Sequence, residues 1–415
     1  MPHVSGFDFG RTLDDQPLGR VHVLVASLCA AVVFIEGFDA QVMGFVAPAL
    51  SADLHIPRIM LGTVISSGTF GMMFGALTFG PIADRMGRRP VLVACVFTFG
   101  VGSLVTATAT TVGSLTAFRV VTGFGMGGAM PNAIALTSEF MPARSRTSIV
   151  MIMFCGFSFG SACAGWVAAA VIGRFGWQSV FLVGGVTPLL LAAVLIAFLP
   201  ESDRFLALKR GNADAAGCSS VRLLLEDGRA AVTLLLWTMF FMNLLNLWFL
   251  NNWLPLILTD AGIRIATASL ITSLFQIGGL LGSLALAGVF GRRLSFGLLA
   301  AVFLAATIFI LSIGEAGASI PLLVITVFAS GGAVIGGQTA SNALAADLYP
   351  TGIRSTGVGW ALGVGRVGSM LGPILGGVLL SYGGGARRIF WAAAVPALIA
   401  TCAALVIHVR PSRRV

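Results

Sequence analysis

The chain has 415 residues, of which 57% are hydrophobic and only 10% are charged, and its formal net charge is +9. Soluble globular domains carry about 25% charged residues, so this composition excludes an ordinary soluble protein and indicates a membrane protein. The basic residues are spread over short loops and form no basic stripe, which argues against nucleic-acid binding despite the positive charge.

Apolar segments recur along the whole chain, and about twelve of them reach the roughly 20 residues that cross a bilayer as a helix. Most lysines and arginines fall in loops that face one side if both termini are cytoplasmic, as the positive-inside rule requires. The sequence therefore predicts an all-α membrane protein with twelve transmembrane helices. The predicted parts are a cytoplasmic tail at 1–20, a six-helix bundle at 21–199, a cytoplasmic linker at 200–229, a second bundle at 230–409 and a tail at 410–415.

The first apolar segment contains two carboxylates, Glu36 and Asp39, three residues apart. Residues at this spacing lie on nearly the same face of a helix. An acid at the centre of a membrane helix costs about 2.5–3.5 kcal/mol even on lenient insertion scales, so such acids face a bundle interior or a water-filled cavity. We predict that Asp39 and Glu36 bind a transported proton.

The most specific motif is GPIADRMGRRP at residues 80–90, between the second and third segments. An acid at such a corner is stabilised by the N-terminus of a neighbouring helix, and the arginines form ion pairs with other acids. We predict that Asp84, Arg85 and Arg88 belong to a cytoplasmic gate. The alternative is that the arginines only anchor the topology. The preceding segment contains Gly71 and Gly75, a spacing that lets two helices approach closely.

The fourth segment begins near Arg119, which either binds substrate or snorkels to the lipid headgroups. The pattern acid-x-x-Pro-x-x-x-Arg then occurs at Glu139–Arg146 and again, about half the chain later, at Asp347–Arg354. This repeat predicts two related six-helix halves with a substrate site between them near the bilayer midplane. The acids and arginines of both copies are assigned to the gate: Glu139, Arg146, Asp347 and Arg354.

The second half carries polar side chains inside apolar segments, and we assign these to substrate binding: Asn246, Asn252, Gln276, Gln338 and Asn342. The eleventh segment contains Arg366 deep in an otherwise uncharged run. An arginine cannot escape the cost of burial by deprotonation, so Arg366 requires an anionic partner. That partner is either an anionic substrate or, as the alternative, a structural ion pair with Asp39 or Glu36.

Three stretches together resemble one family. They are the pattern Glu-Gly-x-Asp at 36–39 followed by GFVAPAL, the segment RVVTGFGMGGAMPNAIALTSE, and GVGWALGVGRVGSMLGP around Arg366. With the 80–90 motif they make the whole chain similar to the major facilitator superfamily, and more narrowly to its aromatic acid:proton symporter family. In that family the first acid is usually aspartate, whereas this chain has Glu36. The resemblance implies that a carboxylate binds Arg366, with help from Arg119 or nearby amides, while Asp39 carries the proton and Trp360 stacks on an aromatic ring.

The expected function is proton-coupled import of an aromatic carboxylate across a bacterial inner membrane by a monomer, with the proton as co-transported ion and no other cofactor. The six cysteines are scattered and suggest neither a disulfide framework nor a metal site. A sugar or organic-acid porter and a drug exporter are the alternatives within transport. Outside transport, the alternatives are a membrane enzyme and a receptor. An enzyme is not expected, because no nucleophile lies beside a base and no nucleotide-binding loop is present. A receptor is not expected, because the sequence has no large cytoplasmic or external domain for signalling.

Overall fold

The computed structural model describes residues 19–201, 224–226, 229–290, 295–349, 354–382 and 385–409. Within these ranges, the side chains of 84, 143–148, 151, 289–290, 346–347 and 354–356 lie outside the description. The predicted linker at 200–229 falls largely outside the described residues, so the boundaries of the two bundles stay a prediction.

The described residues form twelve α-helices, which we number in chain order. Those of the first half are α1 (Arg20–Asp53), α2 (Arg58–Met86), α3 (Arg88–Thr106), α4 (Val112–Phe140), α5 (Ala143–Phe175) and α6 (Gln178–Phe198). Those of the second half are α7 (Ala230–Asp260), α8 (Ile265–Phe290), α9 (Phe296–Glu315), α10 (Ile320–Leu348), α11 (Arg354–Ser381) and α12 (Gly385–Val409). The predicted all-helical fold is confirmed.

Eleven helices in the described parts of the chain are long and apolar enough to cross a membrane. The exception is α4, which has sufficient length at 29 residues. Its glycines, Arg119 and Asn132 dilute its apolar character. A helix that is less apolar than its neighbours is tolerated when other helices surround it, and α4 packs against both α2 and α3.

Local sequence explains several helix boundaries. Between α2 and α3 the chain turns at Gly87, whose φ of 109° lies in a region that favours glycine. At the start of α4, the hydroxyl of Thr111 accepts a hydrogen bond from the backbone N–H of Ser114, which caps the helix. Ser295 caps α9 in the same way through the N–H of Leu298. These short local signals set the residues at which the long helices begin and end.

The same pairing of helices occurs in both halves. In the first half α1 packs on α5, α2 on α4, and α3 on both α4 and α6. In the second half α7 packs on α11, α8 on α10, and α9 on both α10 and α12. This correspondence agrees with the internal repeat seen in the sequence and with a fold built from two related halves.

Glycines allow α2 and α4 to approach until their backbones touch. A Cβ atom built on Gly71 would lie 2.2 Å from the carbonyl oxygen of Val120, and one on Gly75 would lie 2.0 Å from that of Phe124. The predicted close approach at this pair is therefore confirmed. The corresponding helices α8 and α10 meet in the same manner, with Gly278 against Phe328. Small residues are what membrane helices need for such contact.

The two halves meet through α1 with α7, α2 with α11, and α5 with α8. We call the end of the bundle that carries Asp53 and Asp260 the distal end, and the end where α1 and α7 begin the proximal end. At the distal end Arg58 of α2 forms an ion pair with Asp260 of α7, with Nη2 2.9 Å from Oδ1. Gly62 also lies close to the carbonyl of Pro373 in α11. These contacts hold the halves together at the distal end.

We predict that Gly75→Ala destabilises the fold, because the new methyl group would overlap backbone atoms of α4 that cannot easily move. Overpacking of this kind costs about 1–3 kcal/mol. The matched control is Gly80→Ala in the same helix, since nothing lies within 4 Å of a Cβ at Gly80. Thermal unfolding of both purified variants in detergent measures the effect. Equal stability of the two variants would contradict the proposed seam between α2 and α4.

Candidate functional site

A buried ion pair joins α1 to α4. Asp39 is fully buried, and its Oδ2 lies 3.0 Å from Nη1 of Arg119, whose side chain is only 4% exposed. The hydroxyl of Ser103 donates a hydrogen bond of 3.1 Å to Oδ1 of Asp39, and the Arg119 guanidinium lies over the ring of Phe181. Arg119 therefore does not snorkel. The alternative in which Asp39 pairs with Arg366 is also wrong, because Arg119 occupies that carboxylate.

A narrow cavity, which we call the slot, lies between α1, α2 and α4 of the first half and α7 of the second. Its walls combine three methionines, one tryptophan and a few polar groups. The lining residues are Ala40, Met43, Ile65, Gly68, Thr69, Met72, Arg119, Met126, Trp248 and Asn252. The slot therefore lies between the two halves, where the sequence repeat predicted the substrate site.

Glu36 lies on the face of α1 that lines the slot. Ala40 and Met43 follow it by four and seven residues, so the three side chains form one stripe of the helix. Glu36 is 1% exposed, and its Oε2 has no hydrogen-bond partner among the described residues. Three residues advance a helix by about 300°, which leaves Asp39 about 60° away from this stripe. The two acids therefore have different surroundings, although the sequence placed them on one face.

Arg366 lies on the face of α11 that meets the first half. Met370, Pro373 and Gly377 continue its stripe at four, seven and eleven residues, and all three contact α2 through Ser66, Gly62 and Arg58. The charges of Arg366 and Glu36 act on each other electrostatically. Within the described residues, however, no carboxylate makes a direct ion pair with Arg366.

Three of the five predicted polar residues of the second half, Gln276, Gln338 and Asn342, bond to other buried amides. Asn243 donates to the side chain of Gln338, which donates to Asn342, at 2.8 and 3.1 Å. Gln276 donates to Asn251 at 2.9 Å and so links α8 to α7. These contacts provide the partners that buried amides require.

The remaining predicted binding residues differ in position. Asn252 lines the slot. Asn246 is buried but does not line it, and neither of its amide atoms has a partner in the described structure. Trp360 is 45% exposed and stacks on Trp237, with ring centroids 5.8 Å apart. Of these three residues, Asn252 alone contributes to the slot.

The predicted gate is described only in part. Arg88 approaches Glu139 with Nε 3.5 Å from Oε1, and its backbone N–H donates to Glu201. Arg85 is exposed. These contacts join Arg88 to the first half and to the start of the predicted linker. The side chains of the other four predicted members, Asp84, Arg146, Asp347 and Arg354, lie outside the described part of the structure. A gate that joins the two halves thus stays a prediction.

Comparison with known proteins decides the family. The family model described as Major Facilitator Superfamily matches residues 29–256 and 236–415, which together cover most of the chain. The chain belongs to the Major Facilitator Superfamily. It is therefore a multi-pass membrane transporter and not an enzyme, as the sequence predicted.

Curated relatives within the superfamily align over nearly the full chain. The 4-hydroxybenzoate transporter PcaK of Pseudomonas aeruginosa is 40% identical over 98% of this chain and 96% of its own length. The gallate transporter of Pseudomonas putida is 38% identical over 95% of this chain and 93% of its own. The 3-(3-hydroxy-phenyl)propionate transporter of Escherichia coli is 36% identical over 94% and 95%. These proteins are named as transporters of aromatic acids, in agreement with the narrower resemblance.

Solved structures of the superfamily share the fold. A bacterial homologue of the lysosomal transporter Spinster, in an inward-facing conformation, matches with a TM-score of 0.77 at 17% identity over 94% of this chain and 98% of that one. A D-xylose-proton symporter matches with a TM-score of 0.75 at 18% identity over 93% and 97%. At this level of identity the similarity concerns the fold alone.

Sequence reasoning missed several residues of the site. Ser103 and Phe181 complete the surroundings of the Asp39 ion pair, and Met43, Met72 and Met126 form walls of the slot. Serines and methionines are common in membrane helices, so their types carry no signal. Among the described residues, no group of three or more His, Cys, Asp or Glu is placed to hold a metal ion.

We predict that Asp39→Asn lowers the free energy of unfolding, because it leaves the charge of Arg119 buried without compensation. Removing one partner of a buried ion pair costs about 3–5 kcal/mol. The double variant Asp39→Asn/Arg119→Gln removes both charges and should recover much of this loss. Unfolding of the two single variants and the double variant in detergent completes a double-mutant cycle. Additive losses would show that the two side chains do not stabilise each other.

Proposed function

We propose that this transporter imports an aromatic carboxylate together with protons by alternating access. The observation that carries the proposal is Arg366, a cation inside a membrane helix that faces the other half and has no carboxylate in direct contact among the described residues. A guanidinium in such a place requires an anion. The curated relatives, named as transporters of 4-hydroxybenzoate, gallate and related acids, support an aromatic carboxylate as that anion.

Arg366 can hold a carboxylate by two parallel hydrogen bonds, because its guanidinium matches the geometry of the carboxylate oxygens. Its stripe on α11 contacts α2 of the first half, so a substrate bound there touches both halves. A ligand at this interface affects the relative stability of the inward-open and outward-open states. This is how a bound substrate promotes alternating access.

Glu36 is the acid best placed to couple substrate binding to protons. The charge of Glu36 interacts with the charge of Arg366. The carboxylate of Glu36 and a substrate carboxylate would therefore compete for the same cation. Binding of the substrate anion therefore favours the protonated form of Glu36, and protonation of Glu36 favours binding of the anion. This reciprocity is a coupling free energy between two ligands.

We propose a different role for Asp39, which is structural. The sequence assigned the proton to Asp39 together with Glu36, and both carboxylates lie in the first half. Because Arg119 compensates the charge of Asp39, we propose that Asp39 mainly fixes Arg119 at the wall of the slot. Proton release from this pair would require the ion pair to break first.

The orientation follows from the distribution of charge. From the positive-inside rule, we propose that both termini and the proximal end of the bundle lie in the cytoplasm of a bacterial cell, with the distal end outside. The ion pair between Arg58 and Asp260 then closes the external side. We propose that this arrangement is the inward-facing state of a monomer in the inner membrane. The predicted gate at the cytoplasmic ends would close in the opposite state.

We predict that Arg366→Gln lowers uptake of a labelled aromatic carboxylate into proteoliposomes about tenfold to hundredfold under an inward proton gradient. The loss reflects hydrogen bonds to a charged group, which contribute about 1.5–3 kcal/mol. Arg174→Gln is the control, because it removes an exposed charge at the end of α5. Normal uptake by Arg366→Gln would refute the anion site. Uptake of a neutral sugar by the wild type would instead support a sugar porter.

We predict that Glu36→Gln abolishes accumulation driven by the proton gradient but retains exchange of external label against internal substrate. A glutamine imitates the protonated acid permanently, so the carrier can still reorient with substrate but can no longer release a proton. Counterflow without a gradient and uptake with a gradient, measured on the same proteoliposomes, separate the two processes. Full gradient-driven accumulation by this variant would assign proton coupling to another residue.

A further inference from the structure

The slot has the size of a single water molecule. Its free volume is about 10 Å³, and a cavity of roughly 10–15 Å³ holds one water. A cavity of this size stays dry when its walls are apolar, whereas it holds an ordered water when at least two polar groups face it. The polar groups of the slot therefore decide what occupies it.

Two buried polar atoms of slot residues have no hydrogen-bond partner among the described residues: Oδ1 of Asn252 and Nε of Arg119. The two residues are 1% and 3% exposed. Nδ2 of Asn252 donates a hydrogen bond of 2.8 Å to the backbone carbonyl of Trp248, and Nη1 of Arg119 donates one to Asp39. Each side chain is thus fixed by one bond and retains one unused atom, an acceptor on Asn252 and an N–H donor on Arg119.

A water molecule satisfies both atoms, because it donates a hydrogen bond to the carbonyl oxygen and accepts one from the N–H group. Thr69, whose hydroxyl group can donate or accept, also lines the slot. A buried water typically makes about three hydrogen bonds, which these three residues can supply. We propose that the slot is the site of one ordered water that joins Arg119 of α4 to Asn252 of α7, and we call this contact the water bridge.

The water bridge crosses the interface between the two halves near the distal end. Arg119 lies seven residues after the start of α4, and Asn252 lies eight residues before the end of α7. Both are therefore about 10–12 Å inside the distal end. Beside the slot, a Cβ atom built on Gly44 would lie 2.6 Å from the carbonyl oxygen of Asn251. The backbones of α1 and α7 thus touch where the water joins α4 to α7.

The water bridge forms an inner layer of the closure at the distal end, inside the exposed ion pair of Arg58 and Asp260. For the distal end to open, α7 must move away from α1 and α4, which breaks the water bridge. A water-mediated contact is nearly as favourable in enthalpy as a direct hydrogen bond, so it stabilises the closed state. This role rests on the proposed alternating access, whereas the water site itself does not.

Radiolytic footprinting of the purified full-length protein tests for the water in solution. An X-ray pulse converts bound water into hydroxyl radicals, which oxidise adjacent side chains, and methionine is readily oxidised. Met43 and Met126 line the slot and are each 1% exposed, whereas the equally buried Met153 and Met239 do not line it. We expect the two slot methionines to be oxidised at least about tenfold faster than the other two. Equally slow oxidation of all four would refute the water site.

The variant Asn252→Leu keeps the branched shape of the side chain but removes the acceptor, so oxidation of Met43 and Met126 should slow about tenfold. The matched control is Gln41→Leu, which also removes a buried amide whose polar atoms lack partners in the described structure. Gln41 follows Gly37 by four residues, on the face of α1 that lies against α5, and it does not line the slot. The control should keep the wild-type rates, and unchanged rates in Asn252→Leu would refute the water bridge.

Distances between spin labels test the role in closure. Thr110 and Arg264 are exposed residues at the distal end, one in each half, and cysteines placed there can be labelled in a chain whose native cysteines are replaced by alanine. Adding Asn252→Leu should increase the share of molecules with a long distance between the labels, whereas Gln41→Leu should not. Identical distance distributions with and without Asn252→Leu would refute the role in closure.

The outcomes separate this inference from the proposed function. If Arg366→Gln imports aromatic carboxylates normally, or if the wild type imports none, the proposed function is refuted, and the methionine oxidation still decides whether the slot holds a water. If import behaves as proposed and the slot methionines are not oxidised, the water site alone is refuted. The comparison of methionines within the wild type needs no variant, so it decides the question even if Asn252→Leu does not fold.

Discussion

The ion pair between Asp39 and Arg119 is the interaction on which the site depends. In a low-dielectric interior, two opposite charges stabilise the fold only when they are close and well bonded, and either one alone would be strongly destabilising. Ser103 and Phe181 complete the surroundings of this pair. Asp39 thereby compensates the charge of a membrane arginine that lies at the wall of the slot.

A second pair of charges is arranged in the opposite way. Glu36 and Arg366 belong to different halves and influence each other without a direct ion pair. The ion pair of Asp39 and Arg119 lies within one half and suits a permanent structural contact. Two opposite charges that lie in different halves and form no direct ion pair suit groups that exchange partners during transport. In our proposal the substrate anion and the proton are those partners. The contrast between the two pairs gives each of the four charges a distinct part.

The proposed alternating access requires the halves to move relative to each other without losing their own packing. Within each half, glycines bring helix backbones into contact, as between α2 and α4 and between α8 and α10. Between the halves, glycines also meet the backbone of the other half, at Gly44, Gly62 and Gly377, and the polar contacts include the exposed pair of Arg58 and Asp260. An exposed ion pair contributes little stability, so it can break and re-form as the distal end opens and closes. Rigid-body alternating access requires that contacts between the halves break and re-form while those within each half persist.

The sequence by itself determined the twelve helices, the repeat of the two halves and the presence of charged residues in the interior of the bundle. Hydropathy, helix signals and the cost of a charge in lipid are local properties, so they can be read from the sequence. It did not determine which charges pair. Asp39 and Arg119 are 80 residues apart, and their contact exists only because α1 packs beside α4. The tertiary structure also gave the two neighbouring acids different surroundings, because Arg119 of α4 pairs with Asp39, whereas Oε2 of Glu36 has no partner among the described residues. The slot, finally, is formed by four helices from both halves, so no single stretch of sequence contains it.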